Sequence, residues 1–294
     1  MKMKDHMDIT SFAVDLYWLF SPTDLADAFK ENIADIKEGA GLVKKESLQR
    51  NTHTLHFFNH KNRFEPNKIK LLGLSPTLTL YPTSEHSLRK YIQELGQNLA
   101  EGLSKNSYHL VGKIMHLVQD MSSPPNVIPV YHTADGSDSF ETRLNYKLGS
   151  FLSGFNYNQE RFNLVSECSA GENCIENVYQ GAALTTLEHI NSSKSKFDIE
   201  IDGKTKKAGW ELFWDGDEQV RSSPSRYRLH RIKGFGRYGP LGKHFGQEQV
   251  KVARQRYVVN SSIYDELCGF VIRKSIEDSL KILICIEKQL ERLH

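Results

Sequence analysis

The chain has 294 residues, 39% apolar and 25% charged, with 38 Lys and Arg against 36 Asp and Glu and a formal net charge of +2. That length and apolar content are enough to bury a sizeable core, and the near-balance of charge gives no whole-chain pull towards nucleic acid or membrane. Met1 to Met7 carries two lysines and runs straight into Asp5, His6 and Asp8 without the apolar stretch of a signal peptide or anchor. No transmembrane segment is expected; as it stands the chain reads as cytoplasmic, or as secreted or periplasmic with a leader already removed.

Taken in chain order, Ile9, Phe12, Ala13, Leu16, Leu19 and Phe20 recur at helical spacing and predict a helix with one face on a core. Pro22 and Asp24 open a second helix, expected over about Thr23 to Lys37 and ending near Gly39 and Gly41. From there to Lys70 the sequence is polar, rich in His and Asn and weakly periodic, and is expected to be a long loop, which in a compact domain directs attention to its histidines. Ser84 caps a helix striped by Leu88, Tyr91, Ile92, Leu95, Leu99 and Leu103, and another is expected from Ser107 to Met121, closed by Pro124 and Pro125. Phe140 to Leu152 and Ile263 to Leu293 complete the expected helices. Between Asn156 and Gln249 the pattern changes, and FDIEIDGKTKKAGWELFW alternates around Asp202 and Gly203 as a β-hairpin would. The expected fold is therefore mainly α: a single-domain multi-helix bundle over 1–155 and 250–294, with a metal cluster in its core. Residues 156–249 are expected to form an insertion carrying the hairpin and a basic loop. Cys168 and Cys174 in ECSAGENC either close a local disulfide or stay free, and Cys268 and Cys285, in an apolar helical pattern, are expected as buried thiols.

The chemistry centres on His116 and Asp120 in LVGKIMHLVQDMSSPP, four positions apart and so on one helical face. That geometry suits a shared metal, although on an exposed helix it is also an ordinary pair. One turn supplies only two ligands, so further imidazoles and carboxylates must come from other segments. The polar loop offers His53, His56 and His60 in HTLHFFNH, where the aromatics after His56 can anchor the backbone while its ring turns inward.

Four segments in order, HMDITSFAVDLY, GAGLVKKES, LHFFN and HLVQDMSSPPN followed by SDSFET, resemble the zinc-dependent phospholipase C family, the alpha-toxin type related to single-strand-specific zinc nucleases. The similarity covers about the first 150 residues and the last 35. It implies that Glu46, His56, His116 and Asp120 hold one zinc, and that His6 holds a second, with Asp120 bridging. It further implies that Glu46 and Asp120 serve catalysis, Glu46 taking a proton from the attacking water. Two histidines of the family's third site fall on Asn126 and Ser137, which are weak zinc ligands, while Glu141 survives; Asn126, His132 and Asp138 stand as substitutes.

From Arg221 to Arg256 there are ten Lys and Arg against one acid, Glu248, interleaved with Tyr227, Phe235, Tyr238 and Phe245. Arg226, Arg228, Arg231, Lys233 and Arg237 would meet an anionic surface there, a membrane first and single-stranded nucleic acid second, or else form a solvated insertion balancing Asp215 to Glu218. The expected function is metal-dependent phosphodiester hydrolysis of phospholipase C type, by a metal-activated water, on a phospholipid or related phosphate ester. The alternatives are a nuclease-like hydrolase and a catalytically impaired binding module.

Overall fold

A computed structural model describes residues 1–49, 58, 67–70, 78–80, 84–128, 139–167, 171, 173–215, 230–233 and 237–293. The first helix, α1 (Met3–Phe20), buries Asp5, His6, Ile9, Thr10, Ala13, Val14, Leu16 and Tyr17; of the expected stripe Ile9, Ala13 and Leu16 are buried and Phe12 and Phe20 half-buried, but Leu19, in the last turn, is exposed. Thr23 caps α2 (Asp24–Glu31) by accepting from the Ala26 N–H.

The structure corrects the next expectation. The second helix divides at Asn32, and α3 (Ile33–Gln49) runs straight through Gly39 and Gly41. These glycines do not terminate the helix, because close packing against a later helix needs one of them. That helix is α5, reached after β1 (Asn67–Lys70), β2 (Leu78–Leu80) and α4 (Ser84–Glu101), and it spans Lys105–Asp120. A Cβ at Gly39 would lie 2.2 Å from the His109 carbonyl oxygen, and one at Gly112 would lie 2.0 Å from that of Ile36. Only hydrogen fits at either position, so the two backbones touch. The predicted loop to Lys70 is also shorter than expected, because α3 reaches Gln49 and β1 starts at Asn67.

Ser104 caps α5 through the Ser107 N–H, and Pro124 opens the short α6 (Pro124–Val127). The chain continues through α7 (Ser139–Ser153), α8 (Gln159–Glu167) and α9 (Cys174–Asn191). The last two lie inside the expected insertion, yet α9 packs on α4, α5 and α6 as part of the helical body. Its stripe of Ile175, Val178, Tyr179, Ala182, Ala183, Thr186 and Ile190 is buried, a helix the sequence analysis did not expect here.

The expected hairpin is present as β3 (Phe197–Ile201) and β4 (Lys204–Ala208), turning at Asp202 and Gly203 with φ of 51° and 78°. Next come β5 (Trp214–Asp215), β6 (His230–Lys233), β7 (Arg237–Tyr238), β8 (Gln249–Val252) and β9 (Gln255–Val259). The sheet order β4-β3-β9-β8 joins the hairpin to residues 249–259, so the sheet straddles the expected boundary at 249/250. Two smaller sheets are β2-β1-β6 and β5-β7.

The last helix, α10 (Ser261–Leu293), also packs on α1, α5, α7, α8 and α9. Leu280 and Ile282 to Ile286 are all buried, as expected of a helix enclosed on every side. No described helix is long and apolar enough to cross a membrane.

The cysteines meet the expectation at Cys268 and depart from it at Cys174 and Cys285. Cys174 at the start of α9 is disulfide-bonded to Cys285 of α10, 111 residues away, and Cys268 is free and buried. Local spacing could not reveal this bond, because the partners meet only when the two helices pack. Cys168 lies outside the described residues.

Candidate metal centre

The α3–α5 crossing places the first candidate ligand, His116. Because Gly39 and Gly112 allow the backbones to touch, the Ala40 carbonyl on α3 comes within 2.6 Å of His116 Nδ1 on α5. A carbonyl only accepts, so Nδ1 carries the proton and the other nitrogen, Nε2, faces Asp120. One turn on, Asp120 Oδ2 lies 3.2 Å from that Nε2. The i, i+4 geometry read from the sequence is realised in a fully buried setting, both residues being 1% exposed or less.

His6 arrives from α1, its ring stacked on that of His116 with centroids 3.7 Å apart. Its Nε2 is 3.4 Å from Asp120 Oδ1 but makes no hydrogen bond, while its Nδ1 lies 2.8 Å from Gln119 Oε1. Burial, with repulsion from His116 next, lowers the His6 pKa to about 3, so the ring stays neutral at ordinary pH. One ligand atom each from His6, His116 and Asp120 lies within 4.8 Å of the others. With both Nδ1 atoms engaged by acceptors, electron pairs on two nitrogens and a carboxylate face one another. A metal ion, or a proton shared within the cluster, would fit among them. The orphaned His6 Nε2 and the imidazole–carboxylate set fit the metal.

Asn126 on α6 supports this carboxylate. Its amide donates to Asp120 Oδ1 at 3.0 Å and to the Asp120 carbonyl at 3.3 Å, so the residue expected as a substitute ligand here orients an existing one. The Asn126 carbonyl in turn accepts from the N–H of Phe58, which is buried and meets the Tyr179 ring edge-on. Phe58 is the second of the two aromatics after His56; His53, His56, Phe57 and His60 themselves lie outside the described residues. Glu46 is on α3, but its side chain is not described.

Glu141 of α7 is buried and accepts from the Met1 amino group at 2.9 Å; it is not one of the three residues whose ligand atoms converge. Asp5, next to His6, accepts from the Lys2 N–H and the Asn145 amide, and burial raises its pKa. Ser137, His132, Asp138, Arg226 and Arg228 lie outside the described residues. Arg231 and Lys233 fall on β6 and Arg237 on β7, with the strand placed but the side chain not described. A second group, Asp35, Glu38 and His109, sits on the outer side of the same crossing. There Lys105 Nζ lies 3.3 Å from Asp35 and 3.9 Å from Glu38, so an ammonium already balances a partly exposed set.

No protein-family model matches the chain, and no curated protein or solved structure is found to be similar to it. What the centre does must therefore be argued from its geometry and from the sequence motifs.

Sequence reasoning did not single out Gln119 or Ala40. Gln119 stands beside Asp120 in the chain, but its partners lie 109 to 160 residues away. Ala40 acts through a backbone carbonyl, which side-chain chemistry cannot signal.

Proposed function

We propose that this chain is a metal-dependent phosphodiester hydrolase of phospholipase C type, with zinc held by His6, His116 and Asp120. The observation that carries the metal reading is the buried convergence of His6 Nε2, His116 Nε2 and both Asp120 oxygens, with the His6 nitrogen lacking a hydrogen-bond partner among the described residues. Two imidazoles and a carboxylate suit zinc better than magnesium or calcium, which favour oxygen-only sets. The reaction class comes from the resemblance of the four motifs, with Glu46 as base and Glu46 and His56 completing the ligand set.

Bound there, a divalent ion would supply Lewis acidity, acidifying water and offsetting charge on a phosphoryl oxygen. The chain's own residues prepare the place. Ala40 and Gln119 orient the two rings, Asn126 orients the carboxylate, and burial keeps bulk water from competing. A phospholipid at an anionic surface is the first substrate, contacted by Arg226, Arg228, Arg231, Lys233 and Arg237, and single-stranded nucleic acid is the second.

One observation favours the non-catalytic alternative. Asn126 is occupied as a donor to Asp120, which supports a chain that carries fewer metals than the resemblance implies.

Elemental analysis of protein purified without chelator, for the parent and His116→Ala, tests both. Two or more zinc equivalents that fall on substitution, with chelator-sensitive phosphocholine release from phosphatidylcholine vesicles or cleavage of single-stranded DNA, would support the hydrolase. Bound metal without turnover of either substrate would support the binding module. No metal in either protein, even after zinc is added back, would overturn the metal centre and leave a proton as the cation of the cluster.

A further inference from the structure

We propose that Gln119 is a positioning residue that locks His6 in the tautomer with its proton on Nδ1, so that the Nε2 lone pair is presented beside Asp120. The inference rests on the metal reading above for its purpose, but not for its test. Gln119 is fully buried at the end of α5 and meets groups from two other helices. Its amide nitrogen donates to Thr10 Oγ1 of α1 at 2.9 Å and to Ser279 Oγ of α10 at 3.0 Å. Both amide hydrogens are then spent, and the remaining atom, Oε1, lies 2.8 Å from His6 Nδ1. A carbonyl oxygen can only accept, so Nδ1 must hold the proton, and a neutral imidazole then has none on Nε2.

The opposite orientation would have the opposite consequence. If the amide turned by half a rotation, its NH2 would face Nδ1, the His6 proton would move to Nε2, and that nitrogen could no longer ligate a cation. In the orientation seen, Thr10 and Ser279 on separate helices accept both amide hydrogens; since hydroxyls also donate, the tautomer of His6 is what distinguishes this orientation from the turned one. His116 reaches the same state through the Ala40 carbonyl, which no side-chain change can remove. Of the two groups that set the ring tautomers, Gln119 is therefore the one a side-chain mutation can remove. A Gln that only filled buried space would have no influence on the ring it touches.

Two readouts on the full chain decide the matter: two-bond proton–nitrogen correlations of the histidine rings in metal-free protein, and zinc titration by calorimetry against a competing chelator. In the parent, His6 should show the proton on Nδ1. Gln119→Glu keeps an acceptor facing Nδ1 and should keep both the tautomer and a zinc affinity within a few-fold of the parent. Gln119→Met removes the acceptor and should mix the tautomers and weaken zinc by about 10–100-fold, the usual cost of losing an outer-shell partner. Thr10→Val with Ser279→Ala frees the amide to turn and should behave like Gln119→Met without touching Gln119. A parent His6 with its proton on Nε2, or a Gln119→Met protein with parental tautomer and affinity, would overturn the proposal. A parent that binds no zinc but shows the Nδ1 tautomer, lost in Gln119→Met, would sink the metal reading and leave the tautomer lock standing.

Discussion

At the residue scale, the centre depends on a few buried polar atoms whose alternatives are all unfavourable. Asp120 accepts from Asn126 and faces two imidazoles, a buried carboxylate whose charge a cation within the cluster would balance. Asp120→Asn is nearly the same shape but uncharged. It should abolish metal binding while leaving the far-UV circular dichroism unchanged, measured as zinc content per chain. Asn126→Ala removes only the support. It should weaken zinc by about 10–100-fold without abolishing it, read by chelator competition. A variant order reversed from this, with Asn126 mattering more than Asp120, would argue that the cluster is a hydrogen-bonded core and not a ligand set.

At the element scale, the site exists because α3 and α5 approach to backbone contact. Ala at Gly112 would drive a methyl to 2.0 Å from the Ile36 carbonyl, so the helices must part. Gly112→Ala should destabilise the protein by about 1–3 kcal/mol in urea unfolding even though Ala is the better helix former, because overpacking outweighs a propensity gain of at most about 1 kcal/mol. It should also weaken zinc binding, since the Ala40 carbonyl moves with α3. Gly96 in α4 meets nothing within 4 Å, and Gly96→Ala should instead be neutral or stabilising by up to about 1 kcal/mol. Equal effects at the two glycines would show that helix propensity, not the crossing, sets their role.

At the scale of the whole molecule, the Cys174–Cys285 bond ties α9 to the central α10 and closes a long loop, 111 residues in sequence separation. In the chain-entropy account, such a bond stabilises by about 4–5 kcal/mol, acting on the unfolded chain. Peptide mapping without reduction should recover a Cys174–Cys285 cross-linked pair, and Cys285→Ser should lower the melting temperature. Cys268→Ser replaces a free thiol and should leave the cross-link intact. Disulfides persist in oxidising compartments, so protein made in a reducing cytosol should melt lower than protein refolded with oxidant. Identical melting of reduced and oxidised samples would show that the bond contributes nothing to the native state.

Periodicity and spacing in the sequence determined the helical face of α1, the stripe of α4, the His116–Asp120 pair on one face of α5, the hairpin turning at Asp202 and Gly203, and the long α10. These are local: each depends on side-chain direction within one element or on the φ that a turn demands. The β8–β9 hairpin turns at Ala253 and Arg254 with φ of 48° and 73°, residues that carry no turn signal, and it was missed for that reason. Gly39 and Gly41 read as a helix end because glycine is common after helices, whereas the packing of α3 on α5 requires Gly39 within one. That His6 joins His116 and Asp120 was expected only through the resemblance. The structure brings them together by stacking α1 on α3, α5 and α10. The Gln119 network, the Ala40 carbonyl and the Cys174–Cys285 bond were decided by tertiary structure alone. Each links groups far apart in the chain, and no residue type or spacing encodes which distant atom will stand opposite once the helices pack.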